Sequence, residues 1–122
     1  MNIDVARTVV VVIVLTLLSG FGDAQGFFHA SNIWVKGKFI SFEAVKSGIG
    51  YIFGTVMYWF ALKYLAEIKV ISPEIQFAGW FVVAYVGVAI LSGKIAQWHV
   101  IDQVVALAVF IGFVWLFFRT GG

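Results

Sequence analysis

Asp23 opens the chemical question. It follows the apolar run 9–18 within Ser19-Gly20-Phe21-Gly22-Asp23-Ala24-Gln25-Gly26. On a helix, Ser19, Gly22, Asp23 and Gly26 share one face, which turns the acid toward other helices rather than toward lipid. An intramembrane acid is by default a binding or proton-carrying group, because its burial is costly. The plainer alternative is that Asp23 reaches headgroups at an interface, or caps a helix restarting near Gly26.

Three further groups could do chemistry. His29 stands just beyond the same apolar run, and a neutral imidazole can ligate a haem or chlorophyll metal. No second ligand lies near it at helical spacing, and an interfacial histidine is the commoner meaning. His99, Asp102 and Gln103 fall at i, i+3 and i+4, on one helical face, as a proton relay or a polar seam would; an interface position is the competing reading. Tyr58, Trp59, Tyr64, Trp80 and Tyr85 could wall a cation-binding pocket or belong to an aromatic girdle. No nucleophile, base and orienting group occur together. There is also no phosphate-cradling glycine loop and no carboxylate pair, so the chain is read as non-enzymatic and without a cofactor or metal.

The elements that must position these residues follow from composition. Of 122 residues, 62% are hydrophobic and 11% charged, and mean hydropathy is +1.03. Soluble domains carry about 25% charged residues, so lipid is the expected solvent. Eight basic residues spread along the chain, net charge +2, form no block that could track nucleic acid. The absence of cysteine removes disulfides, thiolate nucleophiles and cysteine metal sites.

Four segments approach the roughly 20 apolar residues that a spanning helix requires, at about 8–28, 42–65, 73–91 and 98–118. The expectation is an all-α, integral membrane four-helix bundle, one domain over 1–122, multi-pass in a bacterial or archaeal inner membrane. The first segment resembles a signal peptide, with Arg7, an apolar core and small residues after it, but is read as the first membrane helix. Ser41-Phe42-Glu43 and Ser72-Pro73-Glu74 each set a capping serine before a first-turn acid. On one continuous helix Trp98 and Trp115 would stand about 25 Å apart, matching a belt at both faces. With short connections, sequential helices are expected to pack as neighbours.

Small residues recur at packing distance: Gly22 and Gly26, Gly50 and Gly54, Gly79 and Gly87, Ala108 and Gly112. Rows of this kind let membrane helices approach closely. Four spans would place Arg7, Lys63, Lys69 and Arg119 on one side and Lys36, Lys38, Lys46 and Lys94 on the other. That tie removes the positive-inside bias. Either copies insert both ways, or a partner protein or unequal weighting of the charges sets the orientation.

The stretch from Met57 onward, with its helix end YWFALKYL, its third helix YVGVAIL, its tight SGK turn and its last helix ending FIGFVWLFFR, resembles the drug/metabolite transporter superfamily. Its four-helix small multidrug resistance proteins and EamA-type half-transporters are the nearest in pattern. The resemblance implies an antiparallel homodimer with a membrane-embedded site. It departs at the first helix, where multidrug members carry a mid-helix glutamate; VVVVIVLTLLSG holds no acid, and Asp23 is the nearest candidate. The departure puts proton-coupled drug export in doubt. Transport of a small amphipathic metabolite or cation is therefore one expectation. The other is an accessory subunit packing against other membrane-protein subunits, lipids or pigments.

Overall fold

Each helix begins and ends where its local chemistry directs. The computed structural model describes residues 3–120 and is all-α. Helix α1 is Ile3–Ala30, α2 Ser41–Glu67, α3 Pro73–Ser92 and α4 Val100–Thr120. The first three are each long and apolar enough to cross a membrane. Helix α3 starts with Ser72 as N-cap and Pro73 in the first turn, where a missing N–H costs nothing. Ser72 Oγ donates to the Glu74 carboxylate at 2.6 Å and accepts no capping bond from a backbone N–H. Helix α2 departs from expectation: its N-cap is Ile40, so Ser41 already lies inside the first turn. It ends with Lys69 at φ 64°, where Val70 N–H bonds Leu65 C=O at 2.9 Å and Lys69 N–H bonds Ala66 C=O at 3.0 Å. That pair of bonds is a Schellman closure. Helix α3 ends on Gly93 at φ 63°, as the SGK turn suggests.

Two connections differ from the sequence reading. Between α1 and α2 the chain forms a minimal ribbon, β1 Trp34–Val35 paired antiparallel with β2 Lys38–Phe39. Lys36 and Gly37 form its turn at φ 51° and 76°, the doubly left-handed geometry of two-residue hairpins. Before α4, a short 3₁₀ turn Lys94–Gln97 leads to Trp98 in extended conformation, so Trp98 is outside the helix and its distance to Trp115 is not that of a continuous helix. His99 Nδ1 accepts from Ile101 N–H at 3.3 Å, and its C=O accepts from Gln103 N–H at 3.1 Å. This is N-cap chemistry.

The packing is organised around α1 and not in chain order. Helix α1 carries two small-residue faces, one against α2 and the other against α3, while α2 and α3 meet only sparsely and α4 packs chiefly on α3. On the α2 side, a Cβ on Gly50 would come 2.6 Å from Gly26 N and 2.8 Å from Gly22 O. One on Gly22 would come 3.0 Å from Gly54 N. On the α3 side, a Cβ on Gly20 would strike the Val83 side chain, and one on Gly87 would lie 2.7 Å from Ala24 Cβ. Gly22, Gly26, Gly50, Gly54 and Gly87 all lie at these close approaches. Gly79 is half-buried, whereas Gly112 is exposed, with open space around it among the described residues.

The α1–α2 seam is locally two-fold. Ser19-Gly20-Phe21-Gly22 with Gly26, and Ser47-Gly48-Ile49-Gly50 with Gly54, repeat one pattern on antiparallel helices. Ser19 Oγ donates to Gly54 C=O at 2.7 Å, and Ser47 Oγ donates to Gly26 C=O at 2.8 Å. Each serine thus bonds the last glycine of the other motif. Interhelical bonds of this type contribute about 0.6 kcal/mol on average in a membrane protein. Ser19→Ala and Ser47→Ala are each expected to lower stability by about that amount, and the double variant by their sum. Reversible unfolding in mixed micelles, followed by circular dichroism, checks this; a neutral double variant would show that glycine contact alone holds the seam.

Candidate functional site

Three helical stripes converge beside that seam. Helix α1 supplies Asp23 and Phe27, one turn apart. Helix α2 supplies Tyr51, Thr55 and Tyr58 at i, i+4 and i+7, and α3 supplies Phe77 and Trp80 at i and i+3. Together they line a cleft of about 290 Å³, at the small end of ligand sites. Asp23 is 7% exposed. Its Oδ2 accepts from Trp80 Nε1–H at 2.6 Å, a short hydrogen bond. Gly54 makes the carboxylate's position possible: a Cβ there would overlap Asp23 Oδ1 and lie 2.8 Å from Asp23 N. The acid that had no visible partner in the sequence is therefore anchored from α3 and admitted by α2.

The depth of the site follows from the α1–α3 register. Gly20 lies against Val83 and Ala84, and Ala24 against Gly87. Extending that offset puts Pro73 level with Val10 and Ser92 level with His29. Asp23 is then about 5 Å, one helical turn, from the middle of this shared length.

Around the carboxylate the walls are aromatic. Tyr58 and Trp80 meet at 6.5 Å between ring centroids, and Phe77 and Trp80 at 5.6 Å. Phe27 and Tyr51 pack edge-to-face at 5.2 Å. Of the five aromatic residues picked from sequence, Tyr58 and Trp80 are in the cleft, whereas Tyr64 lies under the Lys63 ammonium at 5.5 Å and Trp59 and Tyr85 also lie outside it. Trp59 is 65% exposed, because adjacent residues on a helix diverge by about 100°. Tyr85 stacks on Phe81 at 6.2 Å and meets Phe110 at 6.5 Å, which makes it part of the α3–α4 contact. Phe27, Tyr51, Thr55 and Phe77 were missed, although each continues the helical stripe of a residue already in view.

The remaining polar candidates lie elsewhere. His99 caps α4, Asp102 is exposed, and Gln103 Nε2 donates to Ile95 C=O at 2.8 Å. The three residues weighed as a relay, a polar seam or an interface group thus stand at the start of α4. His29 Nδ1 lies 2.8 Å from Glu43 Oε2, and Lys46 Nζ is 2.7 Å from Glu43 Oε1. Its ring is thus oriented by an acid on the next helix, a partner that sequence spacing could not reveal. No family model matches this chain, and no curated protein or solved structure matches it either.

Proposed function

We propose that this is a multi-pass membrane protein that binds a small organic cation in the α1–α2–α3 cleft, as the recognition step of its transport. One observation carries the reading: a nearly buried carboxylate, Asp23, lines a cleft whose other walls, Thr55 apart, are aromatic. Such a cleft offers a cation both a counter-charge and π-faces, and cation–π contacts strengthen when desolvated. A neutral apolar guest would gain the walls but give the acid no counter-charge. The resemblance to small multidrug resistance and EamA-like half-transporters supports the same assignment, with Asp23 in place of the mid-helix acid.

A charged and neutral pair of equal shape tests it. Purified protein should bind benzyltrimethylammonium at least about tenfold more tightly than neopentylbenzene, as expected when one guest pairs the acid and the other does not. Equal affinities would reject the cation site.

A second reading, an accessory subunit, is favoured by α4. Val100, Ile101, Val104, Val105, Leu107 and Ile111 are exposed on it, leaving faces that another chain could cover. Extraction in a mild detergent distinguishes the two. The transport reading expects a particle of about twice 13.5 kDa, without a fixed companion. A stoichiometric larger assembly would favour the subunit.

A further inference from the structure

A second groove, on the opposite side of the α1–α2 pair from Asp23, differs in chemistry. Its floor is the glycine seam itself, Gly22 and Gly50, where the absence of side chains leaves a trough of about 410 Å³. Leu18 and Phe21 form one wall and Ile49 and Phe53 the other. The trough runs from Leu18 to His29, about 16 Å along the helix, a length suited to an extended hydrocarbon chain.

Its mouth is polar and basic. Gln25, His29 and Lys46 line that end, and Glu43 fixes two of them by its bonds to His29 Nδ1 and Lys46 Nζ. With Nδ1 occupied, Nε2 is the nitrogen that His29 has left for a ligand. Lys46 is further held over the Phe42 ring at 4.5 Å, and an ammonium retains donors beyond its one carboxylate contact. The chain leaves this end through the β1–β2 ribbon, whose Trp34 and Phe39 pair edge-to-face at 5.4 Å and are both exposed. Amphipathic aromatics of this kind favour the headgroup level. Across residues 24–50 the charged side chains are Lys36, Lys38 and Lys46 against the single acid Glu43, so this end is net positive.

We propose that the groove is a binding site for an anionic phospholipid of the surrounding bilayer. One acyl chain lies between Leu18, Phe21, Ile49 and Phe53, and the phosphate is held by Lys46 and His29. The apolar trough alone would take any lipid chain; the basic mouth selects the charge of the headgroup. The site is independent of the Asp23 cleft and does not require transport.

The test uses the full chain reconstituted in vesicles of equal parts dioleoyl phosphatidylglycerol and dioleoyl phosphatidylcholine, with retained lipid read by native mass spectrometry. Wild type should retain phosphatidylglycerol about fivefold over phosphatidylcholine, the ratio expected of one basic side chain at an anionic headgroup. Lys46→Gln and His29→Gln should each bring the ratio toward that of the bulk vesicle, so one suffices if the other fails to fold. Lys63→Gln, at the other end of α2, should leave it unchanged. Leu18→Trp, which fills the trough, should lower retention of both lipids. A wild-type ratio equal to bulk would overturn the proposal, as would an equal loss in Lys63→Gln, which would indicate a diffuse surface field.

Discussion

Gly50→Leu is expected to destabilise the folded protein by about 2–4 kcal/mol, whereas Gly48→Leu, two residues away, is expected to be neutral or stabilising. At Gly50 the first added carbon meets backbone: Gly26 N at 2.6 Å, Gly22 O at 2.8 Å and Gly26 Cα at 3.1 Å. Backbone atoms cannot rotate aside as a side chain can, so α1 and α2 must move apart. Separation adds an overpacking cost of about 1–3 kcal/mol. It also stretches the Ser19–Gly54 and Ser47–Gly26 bonds, together worth about 1 kcal/mol. At Gly48 nothing lies within 4 Å of an added Cβ. Replacing glycine by leucine inside a helix then gains up to about 1 kcal/mol of propensity. Unfolded side by side in the same micelles, Gly50→Leu should therefore lose stability while Gly48→Leu keeps or gains it. A harmless Gly50→Leu would mean that the glycine seam is not a close contact.

Asp23→Asn is expected to fold normally and to lose affinity for benzyltrimethylammonium by about thirtyfold or more. The substitution keeps the side chain's shape and an oxygen that can still accept from Trp80 Nε1, so the anchor seen at 2.6 Å survives. What disappears is the negative charge. Removing one partner of a buried charge pair costs about 2–5 kcal/mol, and the lower bound corresponds to that thirtyfold. Affinity for neopentylbenzene should change little, because the aromatic walls remain. Wild-type cation affinity in Asp23→Asn would remove Asp23 from the binding role and leave the cleft as packing.

The two variants probe one arrangement from opposite sides. Gly54 leaves the space that the Asp23 carboxylate fills, and Ser19 bonds the Gly54 carbonyl. The cleft therefore depends on the helix seam beside it. A variant that opens the seam should weaken cation binding as well, without touching a cleft residue. Asp23→Asn should do the reverse, altering binding with little change in stability.

Much of this was legible in the residues themselves. Apolar length specified the helices, because a chain in lipid must satisfy its own backbone hydrogen bonds. The spacing of Gly22, Gly26, Gly50 and Gly54 marked the packing faces, and the face shared by Ser19, Gly22 and Asp23 turned the acid inward. The hub role of α1 was not read: short connections led to an expectation of packing in chain order, whereas the small residues of Ser19-Gly20-Phe21-Gly22-Asp23-Ala24 admit a helix on each of two faces. The serine-glycine repeat in α1 and α2 lies in the sequence, but only the Ser19–Gly54 and Ser47–Gly26 bonds make it one seam.

What only the tertiary structure decided is which side chains meet. Trp80 reaches Asp23 from α3, and no local spacing links residues so far apart in the chain. Tyr58 enters the cleft while its neighbour Trp59 faces outward, because helix rotation is set by the glycine contacts and not by aromatic character. Glu43 orients His29 across a loop, and Tyr85 turns away to α4. Helix formation answers to backbone hydrogen bonding and apolar length, which the linear sequence carries. A binding site answers to the register and rotation of one helix against another, and in this protein those are set where Gly20, Gly22, Gly50, Gly54 and Gly87 let backbones touch.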